Sequence, residues 1–214
     1  MKKVYSIIPA LIITAVLLGG CGNKGAAETP TPTTEPTAAA VTDTADICRG
    51  TVTGDIYTSE YSGISIKLPE GWSFATDEEF AADTGASLPL NGGAVTSAEL
   101  SALDNIYDVM IKSTDGENLV IMYDNLQRYG DSCAAIDESV YMDMVKAGLD
   151  ADGTYSYTVG DYYTKAIDGS DYLMASVSLE GYSITQLYSL RRIDDFMLCM
   201  IYTGYDSGEE ITGG

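Results

Sequence analysis

The chain has 214 residues, 32 acidic side chains against 11 basic ones, a formal net charge of −21 and no histidine. So large an acid excess repels nucleic acid and anionic headgroups, disfavours a polyanion partner and leaves basic or cationic partners open, while the missing histidine excludes Ser-His-Asp and Cys-His catalysis and histidine-ligated metal sites. A hydrophobic fraction of 45% with 20% charged residues is that of a globular chain, and the length suits one domain.

The first residues read as a targeting segment. Met1-Lys2-Lys3 is a short cationic start, and Val4 to Leu18 is an uncharged, mostly apolar run. It falls short of the roughly 18 to 20 apolar residues of a spanning helix and is followed by small residues, which predicts a cleaved leader over residues 1–20. Leu18-Gly19-Gly20-Cys21 resembles the bacterial lipobox, leucine and two small residues before a cysteine. The resemblance implies a diacylglyceryl thioether on the Cys21 sulfur, cleavage between Gly20 and Cys21, and a further acyl chain such as palmitate on the new amino terminus. Two or more acyl chains, at about 0.8 kcal/mol per buried CH₂, hold a protein on a membrane durably. The expected location is therefore the extracytoplasmic face of the cell membrane, with the membrane itself as a partner through the lipid. Residues 21–48 form the lipidated cysteine and a tether rich in Ala, Thr, Pro and Glu, with Thr29 to Pro36 proline-stiffened and no apolar periodicity to bury.

Residues 49–214 are expected to form one α+β domain. Asp55 to Tyr61 and Ile64 to Leu68 alternate as strands around a Ser62-Gly63 turn. Leu68-Pro69-Glu70-Gly71 has the proline-second, glycine-fourth preference of a type I turn, and Trp72-Ser73-Phe74 resumes extended structure with Trp72 in the core. Thr76 to Glu79 and Thr96 to Glu99 both carry capping-box spacing and predict two short helices. Tyr107 to Ser113 and Asn118 to Tyr123 flank an Asp115-Gly116 hairpin signal. Asp137 is placed to cap a helix with Val140, Tyr141, Met144 and Val145 on one face, ending near Gly148. Strands follow over Thr154 to Val159, Tyr162 to Ile167, Tyr172 to Leu179, Tyr182 to Arg192 and Phe196 to Thr203. Asp168-Gly169, Glu180-Gly181 and Asp194-Asp195 are the turns between antiparallel neighbours. The sum is a mostly antiparallel curved sheet covered by a few short helices. Its uninterrupted apolar run Phe196 to Tyr202 is expected to be buried on both faces, with Cys199 as inert core.

Chemistry-bearing patterns are few. Cys48, Cys133 and Cys199 have no ligand-like spacing, and pairing of Cys48 with Cys133 stays open. Asp150-Ala151-Asp152-Gly153 begins like a calcium loop but lacks its later glycine and glutamate, which predicts an aspartate-rich turn. No cofactor-binding motif is present, and no metal site is expected. Arg191-Arg192 reads as neutralising Asp194 and Asp195. Among 16 tyrosines, Tyr155, Tyr157, Tyr162 and Tyr163 cluster, with Tyr182 and Tyr188 nearby. Tyr157, Tyr162, Tyr163 and Tyr188 are the candidate ligand-binding residues, a stacking face for a glycan or peptide, set against the plainer reading that tyrosine suits half-buried strands.

The stretch Tyr61 to Phe74, followed by Ala75 to Glu79 and later by Thr185-Gln-Leu-Tyr-Ser-Leu-Arg191, resembles small Gram-positive surface lipoproteins with a PsbP-like sandwich. The resemblance spans roughly Asp55 to Tyr205 and rests on turn and core residues. It implies an accessory or binding role without catalytic residues, toward a protein or glycan partner at the cell surface. It also implies a closing amphipathic helix, which the short segment Asp206 to Gly214 is expected to hold only in stunted form or not at all. The competing expectation is a hydrolase acting on wall glycan through a pair of carboxylates.

Overall fold

A computed structural model describes residues 46–85 and 96–204. The leader, Cys21, the tether as far as residue 45, residues 86–95 and the closing segment from residue 205 lie outside the described residues, while Ile47 and Cys48, placed in the tether by the sequence, pack in a core of the domain.

Three short strands, β1 (Thr51–Thr53), β2 (Ile56–Thr58) and β3 (Ser65–Lys67), form a small antiparallel sheet. The remaining strands build one eight-stranded sheet: β4 (Trp72–Phe74), β5 (Asn105–Ser113), β6 (Asn118–Asn125), β7 (Tyr157–Val159), β8 (Tyr163–Ile167), β9 (Ser170–Leu179), β10 (Thr185–Ile193) and β11 (Phe196–Gly204). Their spatial order is β4-β5-β6-β11-β10-β9-β7, with β8 pairing β9 beside β7, and every pairing is antiparallel. Helices α1 (Asp77–Thr84), α2 (Ser97–Ser101) and α3 (Glu138–Asp152) complete the fold, with 3₁₀ turns over Leu126–Ala135. This is the expected antiparallel sheet with a few short helices.

The sheet separates two cores. On one face Ile106, Ile121, Tyr123, Leu198 and Met200 pack beneath β1–β3 and Leu100 of α2. On the other, Met110, Met122, Leu190, Met197 and Cys199 pack beneath Phe80 of α1 and Tyr141, Met142 and Leu149 of α3. Period-two alternation sends neighbouring residues of a strand to opposite cores, and a strand with material on both faces must be apolar throughout. β11 meets that demand: paired with β6 on one side and β10 on the other, it is buried from Phe196 to Tyr202.

Local signals act as the sequence implied. Thr76 Oγ1 accepts from the Glu79 amide at 3.2 Å while Glu79 Oε2 accepts from the Thr76 amide at 2.9 Å, and Thr96 and Glu99 repeat the arrangement. Asp137 Oδ1 accepts from the Val140 amide at 2.9 Å. Asp168 and Gly169 both adopt positive φ, 49° and 78°, in the two-residue turn that joins β8 to β9.

Several boundaries and faces differ. The β2–β3 connection is a six-residue excursion, Ser59 to Ile64, closed by the Ser59 amide on the Ile64 carbonyl at 2.9 Å, not a tight Ser62-Gly63 turn. The bonded turn after β3 runs from Pro69 to Trp72, so Gly71 takes its third position, where a φ of 83° needs glycine. Trp72 is only half-buried against the first core. Helix α3 runs past Gly148 to Asp152 and stops at Gly153 with φ 63°, so Asp150 and Asp152 sit in its last turn and not in an aspartate-rich loop. Its buried residues are Tyr141, Met142 and Leu149, while Val140 points outward, because Met142 and Leu149 extend the stripe in a direction the shorter helix hid. Cys48 packs against the first core and Cys133 against the second, and both are free thiols.

Replacing Cys199 with Asp places a carboxylate in a strand whose neighbours leave no route to water. The cost is several kcal/mol against a domain stability of about 5–15 kcal/mol. The expected result in a thermal melt is loss of the cooperative transition at neutral pH; a variant melting like the wild type would place this strand at the surface.

Candidate functional site

The four tyrosines singled out in the sequence are divided by the sheet. Tyr188 is buried in the helix-side core, and its hydroxyl donates to Gln186 Oε1 at 3.2 Å. Tyr157 and Tyr162 are half-buried on that same side, and the Tyr162 hydroxyl donates to Asp143 Oδ1 of α3 at 2.9 Å. Tyr163 pairs across the strands with Met174, which faces the first core, so it lies on the opposite face and is largely exposed. They therefore do not converge on one platform. The exposed aromatic group is Tyr155 with Tyr182, centroids 6.0 Å apart and nearly perpendicular, with Tyr157 6.4 Å from Tyr155.

What the fold does build is a cleft of about 360 Å³ between the small sheet and the large one. Its floor is the first-core face of three central strands. Leu187, Ser189 and Arg191 of β10 stand in line at two-residue spacing, cross-strand from Tyr202, Met200 and Leu198, and Leu119 of β6 continues the row. The roof is Gly63 to Lys67, which includes β3, and one end is closed by Ile167, Asp168 and Tyr172. Ser189 is the small residue of the floor row, and in the roof Ile66 packs toward the first core while Ser65 and Lys67 are exposed. Cavities of about 300–1,000 Å³ with an apolar lining and a few placed polar groups are the usual form of small-molecule sites.

Arg191 is the charged group of the floor. It donates from Nη2 to the Ser62 carbonyl, and its guanidinium carbon lies 5.1 Å from the centre of the Tyr172 ring. Among the described residues no carboxylate lies within ion-pair distance of it. The expected pairing of the Arg191-Arg192 dipeptide with Asp194 and Asp195 is thus corrected. Arg191 turns into the cleft, and Arg192 caps carbonyls, donating from Nη1 to Cys133 at 3.1 Å and Ile136 at 2.8 Å and from Nε to the Asp194 carbonyl at 2.9 Å. At the rim, Lys67 Nζ lies 3.9 Å from Asp55 Oδ2, with both side chains mostly in water, a contact of little worth. Desolvation, reinforced by Asp168, holds the Tyr172 hydroxyl above its ordinary pKa, and Arg191 works against both. Among the described residues no three acidic or cysteine side chains gather closely enough to hold a metal ion.

Two buried carboxylates flank this architecture. Asp108 occupies an irregularity in β5 between Tyr107 and Val109, and its oxygens accept from the Tyr57 hydroxyl at 2.5 Å and the Gly50 amide at 2.8 Å. Burial raises its pKa, opposed by those two hydrogen bonds and by Arg49. Arg49 reaches the Asp108 carbonyl at 2.7 Å and both oxygens of Asp77 in α1 at 2.8 and 3.1 Å. On the helix side, Asp124 accepts from the Tyr141 hydroxyl at 2.9 Å and from Arg128 Nη2 at 3.0 Å, while its Oδ1 is buried with no hydrogen-bond partner among the described residues. Burial pushes its pKa up to about 6, with Arg128 only partly offsetting.

No protein-family model matches the chain, and no curated protein does. Among solved structures it is similar to the solution structure of cyanobacterial PsbP (CyanoP) from Synechocystis sp. PCC 6803, at 14% sequence identity and a TM-score of 0.43, over 78% of this chain and 85% of that one.

Asp124 carries a pH prediction. Its carboxyl holds a proton more tightly in the folded protein than in the unfolded chain, so its contribution to stability is complete below about pH 4 and is lost as the pH rises through about 6. The wild type is expected to gain up to ~3 kcal/mol from this group on acidification from pH 7.5, and Asp124→Asn is expected to flatten that part of the curve. Identical pH profiles of melting temperature for the two proteins would contradict the assignment.

Proposed function

We propose that the chain is a lipid-anchored, extracytoplasmic binding domain of PsbP-like architecture, non-catalytic, that holds a small molecule in the cleft between β1–β3 and the central sheet. The cleft supports this reading: about 360 Å³ over an apolar floor with a guanidinium set into it has the form usual for small-molecule sites. The leader and the likeness of Leu18 to Cys21 to a lipobox support the anchor. A glycan hydrolase needs two carboxylates facing one cleft at about 5 to 9.5 Å, and among the described residues the cleft lining offers Asp168 alone.

The test uses the full chain expressed in a lipoprotein-processing bacterium, with a palmitate label and Nile red as a neutral apolar probe. The wild type is expected in the membrane fraction, labelled and saturably dye-binding. Cys21→Ala should lose label and membrane retention but keep the dye, and Ser189→Leu, which fills the floor of the cleft, should keep label and anchor but lose the dye. A labelled Cys21→Ala would refute the anchor, and undiminished dye binding by Ser189→Leu would refute the cleft.

A further inference from the structure

We infer that the cleft takes an apolar monocarboxylic acid, its carboxylate on Arg191 and its hydrocarbon body on Leu119, Leu187 and Met200. This rests on the cleft being a binding site and adds the chemical class of the ligand.

The first support is electrostatic. Acidic side chains outnumber basic ones 32 to 11 in this chain, and among the described cations Arg49, Lys67, Lys112 and Arg128 have carboxylates within 4.0 Å while Lys146 stands in water. Arg192 is spent on backbone carbonyls. Arg191, half-buried at the cleft, has no such acid among the described residues, although acids are the most abundant charged groups available to it. A guanidinium withdrawn from water without a counter-charge is a standing preference for an anion.

The second support is geometric. The Tyr172 ring at 5.1 Å and the Ser62 carbonyl fix the guanidinium plane. One of its nitrogens is thereby engaged, on a group that carries five N–H donors in a planar fork. That fork matches a carboxylate bidentately, which a flexible ammonium does not. Because the ring and the carbonyl hold the fork before a ligand arrives, little side-chain freedom is lost on binding. Beyond Arg191 the floor turns apolar through Leu187, Leu119 and Met200, so the body of the ligand must be hydrocarbon. At the rim the charge of Lys67 is shared with Asp55, and Asp168, exposed in the β8–β9 turn, is the one carboxylate of the lining. Asp168 disfavours a ligand of higher negative charge, such as a phosphate dianion, more than it disfavours a monoanion.

The experiment is isothermal titration calorimetry of the purified protein at pH 7.5 and low ionic strength with decanoate, decanol and decylamine, three probes of one chain length and different head charge. The wild type is expected to bind decanoate at least about 10-fold more tightly than decanol, the value of one charge-assisted hydrogen-bonded pair, and decylamine more weakly than either. Arg191→Gln should remove the preference for decanoate while leaving decanol affinity within a few-fold of wild type, and Arg191→Lys should retain part of it. Equal affinities for decanoate and decanol in the wild type, a measurement that needs no variant, would overturn the inference and leave the cleft intact. So would tighter binding of decylamine, which would assign recognition to Asp168. Failure of all three probes to bind would overturn the cleft reading itself.

Discussion

The carboxylate of Asp108 is the constraint on which the architecture turns. It is 3% exposed, inside the central sheet, at the point where β5 departs from regular pairing with β6. An extra residue in a strand re-aims a side chain, and here the acid meets the Tyr57 hydroxyl and the Gly50 amide of the N-terminal layer. Burying an acid is costly unless it is hydrogen-bonded, so lifting that layer would strip Asp108 of these two donors. Gly50 answers the same constraint from the other side, because a Cβ there would overlap the Tyr57 ring. Arg49, next in sequence, joins this junction to the first turn of α1 through Asp77, so one short stretch ties both coverings of the sheet together.

The cleft is a consequence of this fastening. Tyr57 holds one end of the small sheet, and the connection after β2 is docked at the other by Tyr61, whose ring packs edge-on against Tyr123 at 5.4 Å and Phe196 at 6.1 Å. Between these anchor points β3 lies over the large sheet and lines the cleft together with Leu187, Ser189 and Arg191. On the helix face Tyr141, Met142 and Leu149 of α3 pack directly on the sheet, and its buried acid Asp124 accepts from Tyr141 and Arg128 through one oxygen only.

Local chemistry made much of this legible in the sequence. Thr76, Thr96 and Asp137 cap helices because a hydroxyl or carboxylate three residues before an amide needs nothing distant to act, and the Asp168-Gly169 turn follows from which residues tolerate positive φ. The apolar run Phe196 to Tyr202 announced a strand covered on both faces, since no other setting tolerates it. What depended on register was hidden. Tyr162 and Tyr163 are adjacent, and adjacency in a strand means opposite faces, so a cluster in sequence became a division in space. Arg191 and Arg192 separated in the same way, one into the cleft and one onto the carbonyls of the 3₁₀ turns. The spacing of Leu187, Ser189 and Arg191 contained a usable signal, a small and a charged residue at positions where period-two alternation asks for apolar ones, but its meaning required the roof that β3 supplies. Asp108 gave no signal, because nothing local marks a strand residue as the extra one.

The Asp108 junction holds the N-terminal layer on the sheet over the cleft. Hydrogen exchange read by mass spectrometry on Asp108→Ala tests it most directly. Amides of Thr51–Thr53, Ile56–Thr58 and Ser65–Lys67 are expected to exchange at least about 10-fold faster than in the wild type, by local opening, while those of β6, β10 and β11 keep their protection. Unchanged protection of the small sheet, or loss of protection in both sheets together, would contradict it.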